Sequence, residues 1–385
     1  MTDVADTPAE PPWDDPAEPP LRALRWRFIV ALIAAGAVAF VASGLGRPAG
    51  SVGGAGIASA APASPRPAGA AALTGAVPIA VVGPFDQSPG AAPTVAIRID
   101  NGPPLRVVLD TGSSGLWIRA GSLPPGLPTL ATGQESGWGD GNVTHESITS
   151  GILGIGGVTT THAIPIAVVH STSCLAIIAC PPWAESGGTV GILGISPLGN
   201  GIAPSPLLSL PSPYDSTWQI SLHGRGGVLR LGAPDPARPV AEFHVPTQFT
   251  GVSSALEPVR SAAPPSPEMA IAPPTCWRFG RGAAPTCVPT MFDTGSAQTW
   301  AGTGSELGAT GGHLLAPGTR VSVSAAPGSR PFWSFTAGTV MSRNVVSVPA
   351  GAKGYMVAGI PVFYAFTVGF DVAGDAMTLS KPTAH

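Results

Sequence analysis

Charge is scarce in this chain. Acidic and basic residues make up 11% of 385 residues, and the formal net charge is −3. Lysine occurs only as Lys353 and Lys381, so arginine supplies nearly all the positive charge. No basic block exists that could track a phosphate backbone, which argues against nucleic acid as a partner. Cysteine is scarce too, with four residues, no Cys-x-x-Cys unit and no nearby histidine to complete a zinc set. No metal and no cofactor are therefore expected. His145-Glu146 is not a zinc helix motif, because position 149 is Thr149. Gly154-Ile155-Gly156-Gly157 lacks the βαβ surroundings of a dinucleotide fingerprint. The chain has no Gly-x-Ser-x-Gly, which weakens a serine-hydrolase reading.

Glycine and proline are abundant, at 51 and 45 residues, while hydrophobic residues reach 44%. That combination fits short strands joined by many turns rather than general disorder. The length gives room for two lobes of ordinary domain size. The cysteines fall in two close pairs, Cys174 with Cys180 and Cys276 with Cys287. Local disulfides fit this spacing best; three connectivities are open, and the two local bridges are the expectation. Disulfides imply an oxidising compartment.

Residues 1–27 begin acidic and Pro-rich, with Asp3, Asp6, Glu10, Asp14, Asp15 and Glu18, and end in Arg22, Arg25 and Arg27. This composition predicts a disordered, cytoplasmic N-terminus. Residues 28–46 are uncharged. At about 1.5 Å per helical residue, that run is long enough to cross a bilayer. The flanking arginines place the N-terminus inside and the remainder outside. The alternative is a signal peptide cleaved near Ala42-Ser43, which would release the protein. Residues 47–75 are Gly, Ala, Ser and Pro with two arginines, the composition of a tether. The patterned region divides into a lobe at 76–238 and a second at 239–385, with a Pro-rich junction near 233–240.

Two stretches organise the patterned region. Val107-Val108-Leu109 delivers Asp110 into Thr111-Gly112-Ser113, and Thr290-Met291-Phe292 delivers Asp293 into Thr294-Gly295-Ser296. Each reads as a buried strand ending in a tight turn with a carboxylate at its tip. A single such turn is unremarkable; two copies point to a paired site. Both motifs, with Leu116-Trp117-Ile118 after the first, resemble the active-site segments of the pepsin-like aspartic proteases. The resemblance covers about residues 78–380.

The resemblance implies an all-β, bilobal double-barrel fold with one catalytic Asp per lobe, here preceded by a single membrane helix. It implies an aspartic endopeptidase in which Asp110 and Asp293 share a proton, activate a water and cleave an extended peptide at acidic pH. The protein is expected to act as a monomer. Thr111 and Thr294 are expected to hydrogen-bond across to the opposite turn. Ser113 and Ser296 are expected to donate hydroxyls to the carboxylates. Trp138, in Trp138-Gly139-Asp140-Gly141, stands where the family carries a flap tyrosine, and Trp117 where it carries a supporting tryptophan. The family often has a small disulfide loop where Cys276 and Cys287 lie. Gly191-Ile192-Leu193-Gly194 and Val357-Ala358-Gly359-Ile360 resemble the elements that brace the two Asp turns. Nothing resembles the basic prosegment of pepsin-like zymogens. The rival readings are a catalytically silent pepsin-fold binding protein and an adhesive β protein.

Overall fold

The computed structural model describes residues 75–83, 91–138, 141–174, 183–184, 186–197, 201–233, 239–245, 272–303, 313–339, 344–348 and 353–382. The expected membrane segment at 28–46 and nearly all of the tether lie outside these residues, as does Cys180. Among the described residues no helix is long and apolar enough to cross a membrane.

The protein is mainly β. Its first half contains β1 (Gly75–Val82), β2 (Ala92–Ile99), β3 (Leu105–Asp110), β4 (Ser114–Arg119), β5 (Thr129–Gly137), β6 (Asn142–Gly151), β7 (Leu153–Ile155), β8 (Val158–Thr159), β9 (Ile164–Cys174), β10 (Gly191–Ile195), β11 (Thr217–His223) and β12 (Gly226–Leu231). The second half contains β13 (Ala241–His244), β14 (Pro274–Phe279), β15 (Thr286–Phe292), β16 (Thr299–Thr303), β17 (His313–Leu314), β18 (Arg320–Ser324), β19 (Trp333–Thr336), β20 (Val346–Val348) and β21 (Lys353–Ala358). A short helix α1 (Pro361–Ala365), β22 (Thr367–Asp371) and β23 (Ala376–Ser380) follow.

Two sheets result. The larger runs β13-β23-β22-β11-β12-β1-β2-β3-β10-β4-β9-β6-β5, with β7 and β8 branching from β2. The smaller runs β17-β20-β16-β21-β15-β14-β18-β19. The larger sheet draws β13, β22 and β23 from the second half, so the two halves of the chain share it. Trp218 of β11 faces Phe370 of β22 across that join.

Side-chain alternation explains most elements. In β1, Val77, Ile79 and Val81 are buried while their neighbours face out, as period two requires. β10 is buried along its whole length because it is flanked by β3 and β4 in the sheet interior. The hairpin expected at Asn101-Gly102 forms between β2 and β3, but Asp100 takes the left-handed conformation, at φ 48°. Asp tolerates that region, and here its Oδ1 accepts the Ile152 amide at 2.9 Å. The disulfide Cys276–Cys287 joins directly opposed residues of β14 and β15, with Cα atoms 3.9 Å apart. It clamps the strand that leads to Asp293. Cys174 closes β9, and no described cysteine is a free thiol.

Candidate active site

The site is built from one unit used twice. In the first half, β3 ends at Asp110, the chain turns, and β4 departs. β10 then inserts between them, parallel to β3 and antiparallel to β4. In the second half β15, β16 and β21 repeat this arrangement, with β21 parallel to β15 and antiparallel to β16. Each inserted strand braces the turn beside it. The Ser196 amide donates to the Ser113 carbonyl at 2.8 Å, and the Ile360 amide donates to the Ser296 carbonyl at 2.8 Å. Glycine is required at the approach: a Cβ on Gly194 would lie 2.7 Å from the Ser113 carbonyl, and one on Gly359 would strike the Ser296 carbonyl at 2.5 Å. Both bracing segments expected from the sequence are therefore placed against their turns.

The two turns lock together through their threonines. Thr111 Oγ1 donates to the Phe292 carbonyl at 2.6 Å and accepts the Thr294 amide at 2.9 Å. Thr294 Oγ1 donates to the Leu109 carbonyl at 2.6 Å and accepts the Thr111 amide at 3.0 Å. All four bonds are buried and join residues more than 180 positions apart. Each hydroxyl uses its single hydrogen and one lone pair on the opposite turn.

This exchange brings the carboxyls together. A Cβ added to Gly112 would lie 2.5 Å from Asp293 Oδ1, and one on Gly295 would lie 2.7 Å from Asp110 Oδ1. Glycine therefore occupies the only space a side chain would need, and each carboxyl lies against the opposite glycine. Asp110 Oδ1 accepts the Gly112 amide at 2.7 Å, and Asp110 Oδ2 accepts the Ser113 hydroxyl at 2.6 Å. Asp293 Oδ1 accepts the Gly295 amide at 2.7 Å. Burial holds the Asp293 carboxyl well above its ordinary range, and the charge and hydrogen bond of Asp110 add to this, against the backbone amides of Gly295 and Ser296. Two carboxyls in such contact retain a proton between them.

One expected contact differs. Ser296 Oγ donates to the Gln298 carbonyl at 2.8 Å, so its single hydrogen is not on Asp293. The cause is the chain path. After Ser113 the strand β4 starts at once, whereas after Ser296 the chain bends through Ala297 and Gln298 before β16 begins. That bend returns the Gln298 carbonyl to the serine.

Trp138 lies at the tip of the β5–β6 hairpin, beyond which Gly139 and Asp140 lie outside the described residues. Trp117 supports it, with ring centroids 4.9 Å apart in an edge-on arrangement. Two neighbours were not anticipated from sequence. Trp183 packs on Trp138 with centroids 5.6 Å apart. Glu146 is buried on β6, and burial raises its carboxyl above the ordinary range despite hydrogen bonds from Thr144, Ser136 and Trp117. Its signal was present in the strand period: Ile148 is an inward position, so Glu146 two residues earlier points the same way. The three tryptophans join a small cluster with Val108 and Ile192. Val108 lies two residues ahead of Asp110, so the hairpin tip and the first carboxyl rest on one strand.

Among the described residues no group of three or more His, Cys, Asp or Glu is placed to hold a metal ion. Neither a scan against protein-family models nor a search of curated proteins finds a match for the chain.

Proposed function

We propose that this protein is an aspartic endopeptidase with a bilobal, pepsin-like architecture, its lobes spanning 76–238 and 239–385. The observation that carries the reading is the reciprocal threonine exchange, which presses two carboxyls from separate halves of the chain against each other. The ionised partner takes a proton from a water held between them as that water attacks a peptide carbonyl. The protonated partner, favoured at Asp293 by burial, donates to the carbonyl oxygen and stabilises the developing charge. The proton then passes to the leaving nitrogen, and the dyad is restored. The substrate is an extended segment whose backbone pairs with strand edges such as the exposed β5, with apolar side chains flanking the cut. The protein is a monomer held at the membrane by residues 28–46, with the catalytic region outside.

A statine-type inhibitor tests the dyad, because its central hydroxyl takes the place of the attacking water. The full-length chain is expected to bind it with an affinity that collapses in Asp110→Asn and in Asp293→Asn. Equal affinity in all three proteins would refute the reading. The silent binding protein draws support from Trp138, whose one polar atom is spent on Thr144 rather than offered to a substrate. Inhibitor binding without turnover of any peptide would favour it.

A further inference from the structure

Beneath the hairpin tip lies a carboxyl that the chemistry above does not use. Glu146 keeps 3% of its accessible surface, on a strand where Thr144 and Ile148 are also buried. Thr144 Oγ1 donates to its Oε1, and Ser136 Oγ donates to its Oε2 at 3.2 Å. Each hydroxyl in turn accepts an indole. Trp138 Nε1 donates to Thr144 Oγ1 at 3.1 Å, and Trp117 Nε1 donates to Ser136 Oγ at 3.4 Å. Two relays thus run indole to hydroxyl to carboxyl and end on the two oxygens of one residue, and the Trp117 indole also hydrogen-bonds that carboxyl directly.

The orientation of both hydroxyls depends on that end. A hydroxyl has one hydrogen, and an ionised carboxylate only accepts. With Glu146 accepting, both hydroxyls present lone pairs to the indoles. Without it, Thr144 is free to turn its hydrogen to the Ser136 carbonyl, 3.2 Å away. An apolar side chain would fill this position without the desolvation a carboxyl suffers there. Of the charged and titratable groups on the surrounding strands, His145 acts on Glu146 through its charge, favouring the ionised carboxyl, and each has its own partner. His145 pairs with Glu135 of β5 at 2.9 Å, His170 of β9 meets Ser147 at 2.8 Å, and Arg119 of β4 donates to the Trp183 carbonyl at 2.5 Å.

We propose that Glu146 is a positioning residue: its carboxyl orients Ser136 and Thr144, and through them holds the Trp117–Trp138 pair in one arrangement at the hairpin tip. The consequence for catalysis rests on the endopeptidase reading, in which this tip covers bound peptide. Protonation converts one carboxyl oxygen to a donor, so the hydroxyl beside it must accept and turn its own hydrogen elsewhere, while the indole, which only donates, meets that hydroxyl along a shifted direction. The arrangement of the two indoles therefore changes with pH.

Two indoles this close give a coupled near-ultraviolet circular-dichroism signal, which needs no substrate. In the full-length chain that signal is defined as the part lost both in Trp138→Phe and in Trp117→Phe, which separates it from the Trp138–Trp183 contact. Glu146→Leu is expected to lose it too, and to raise KM about ten-fold at nearly constant kcat, the size of one hydrogen bond's effect. Thr144→Val, nearly isosteric, breaks one relay without creating a cavity and is expected to lose the signal as well. Glu146→Gln puts an amide donor in place of one accepting oxygen, as protonation does, so it is expected to show the low-pH form of the signal at every pH and not to titrate it. If the signal persists in Glu146→Leu, the proposal falls. Should that variant fail to fold, persistence in Thr144→Val overturns it instead. A pH titration unchanged in Glu146→Gln would also overturn it. Loss of the signal in a chain that cleaves no peptide would uphold the positioning role and refute the endopeptidase reading.

Discussion

Asp110 and Asp293 sit in unequal surroundings although their motifs are the same four residues. Asp110 accepts a serine hydroxyl, whereas the serine after Asp293 spends its hydrogen on its own turn. A hydrogen bond to an ionised group contributes about 1.5–3 kcal/mol. Ser113→Ala is therefore expected to lower kcat/KM by roughly ten-fold or more, since each ~1.4 kcal/mol is a factor of ten. Ser296→Ala should leave kcat/KM within about two-fold, because no bond to the carboxyls is lost. Parallel kinetics on one peptide check this, and equal losses would contradict the asymmetry. Glycine carries the other residue-scale prediction. Gly112→Ala puts a methyl group against the Asp293 carboxyl, so activity should be abolished while the remaining strands hold.

At the scale of elements, the joint between the turns is two threonine hydroxyls deep. Thr294→Val removes the partner of the Thr111 amide and of the Leu109 carbonyl, both buried. An orphaned buried polar group costs about 1–3 kcal/mol, so the variant should lose roughly 2–6 kcal/mol in denaturant unfolding. A loss below about 0.5 kcal/mol, the size of an ordinary surface change, would show that the joint is not where the halves are held. Much at this scale was legible beforehand. The Asp110 and Asp293 motifs, the bracing glycines and the hairpins around Trp218 and Phe370 each carry a local signature of apolar run, turn and period. The direction of the Ser296 hydroxyl was not legible, because it is decided by a bend two residues later. The inward face of Glu146 was legible only through strand register, since a carboxylate on an alternating strand normally marks the wet face. The recruitment of β13 into the larger sheet carried no local signal at all, because it depends on where β22 and β23 come to rest.

For the molecule as a whole, the paired carboxyls link folding to pH. Asp293 titrates well above its ordinary value in the folded state. Such a group contributes stability that is fully present below its unfolded pKa and is lost as pH rises through its folded one. Unfolding free energy should therefore fall as pH rises from the ordinary Asp range through the elevated pKa. Asp293→Asn should flatten that part of the curve. Glu146, raised by burial in the same sense, contributes a second loss that Glu146→Gln should remove separately. Activity follows the same proton: once it leaves, the group that donates to the substrate carbonyl is gone. The most direct measurement is digestion of a peptide library by the full-length chain across pH, beside Asp110→Asn and Asp293→Asn. The account predicts cleavage between bulky apolar residues, and the proton-sharing dyad requires it to be greatest on the acidic side of neutrality and absent from both variants. Cleavage that persists in either variant, or that rises steadily into alkaline pH, would contradict it.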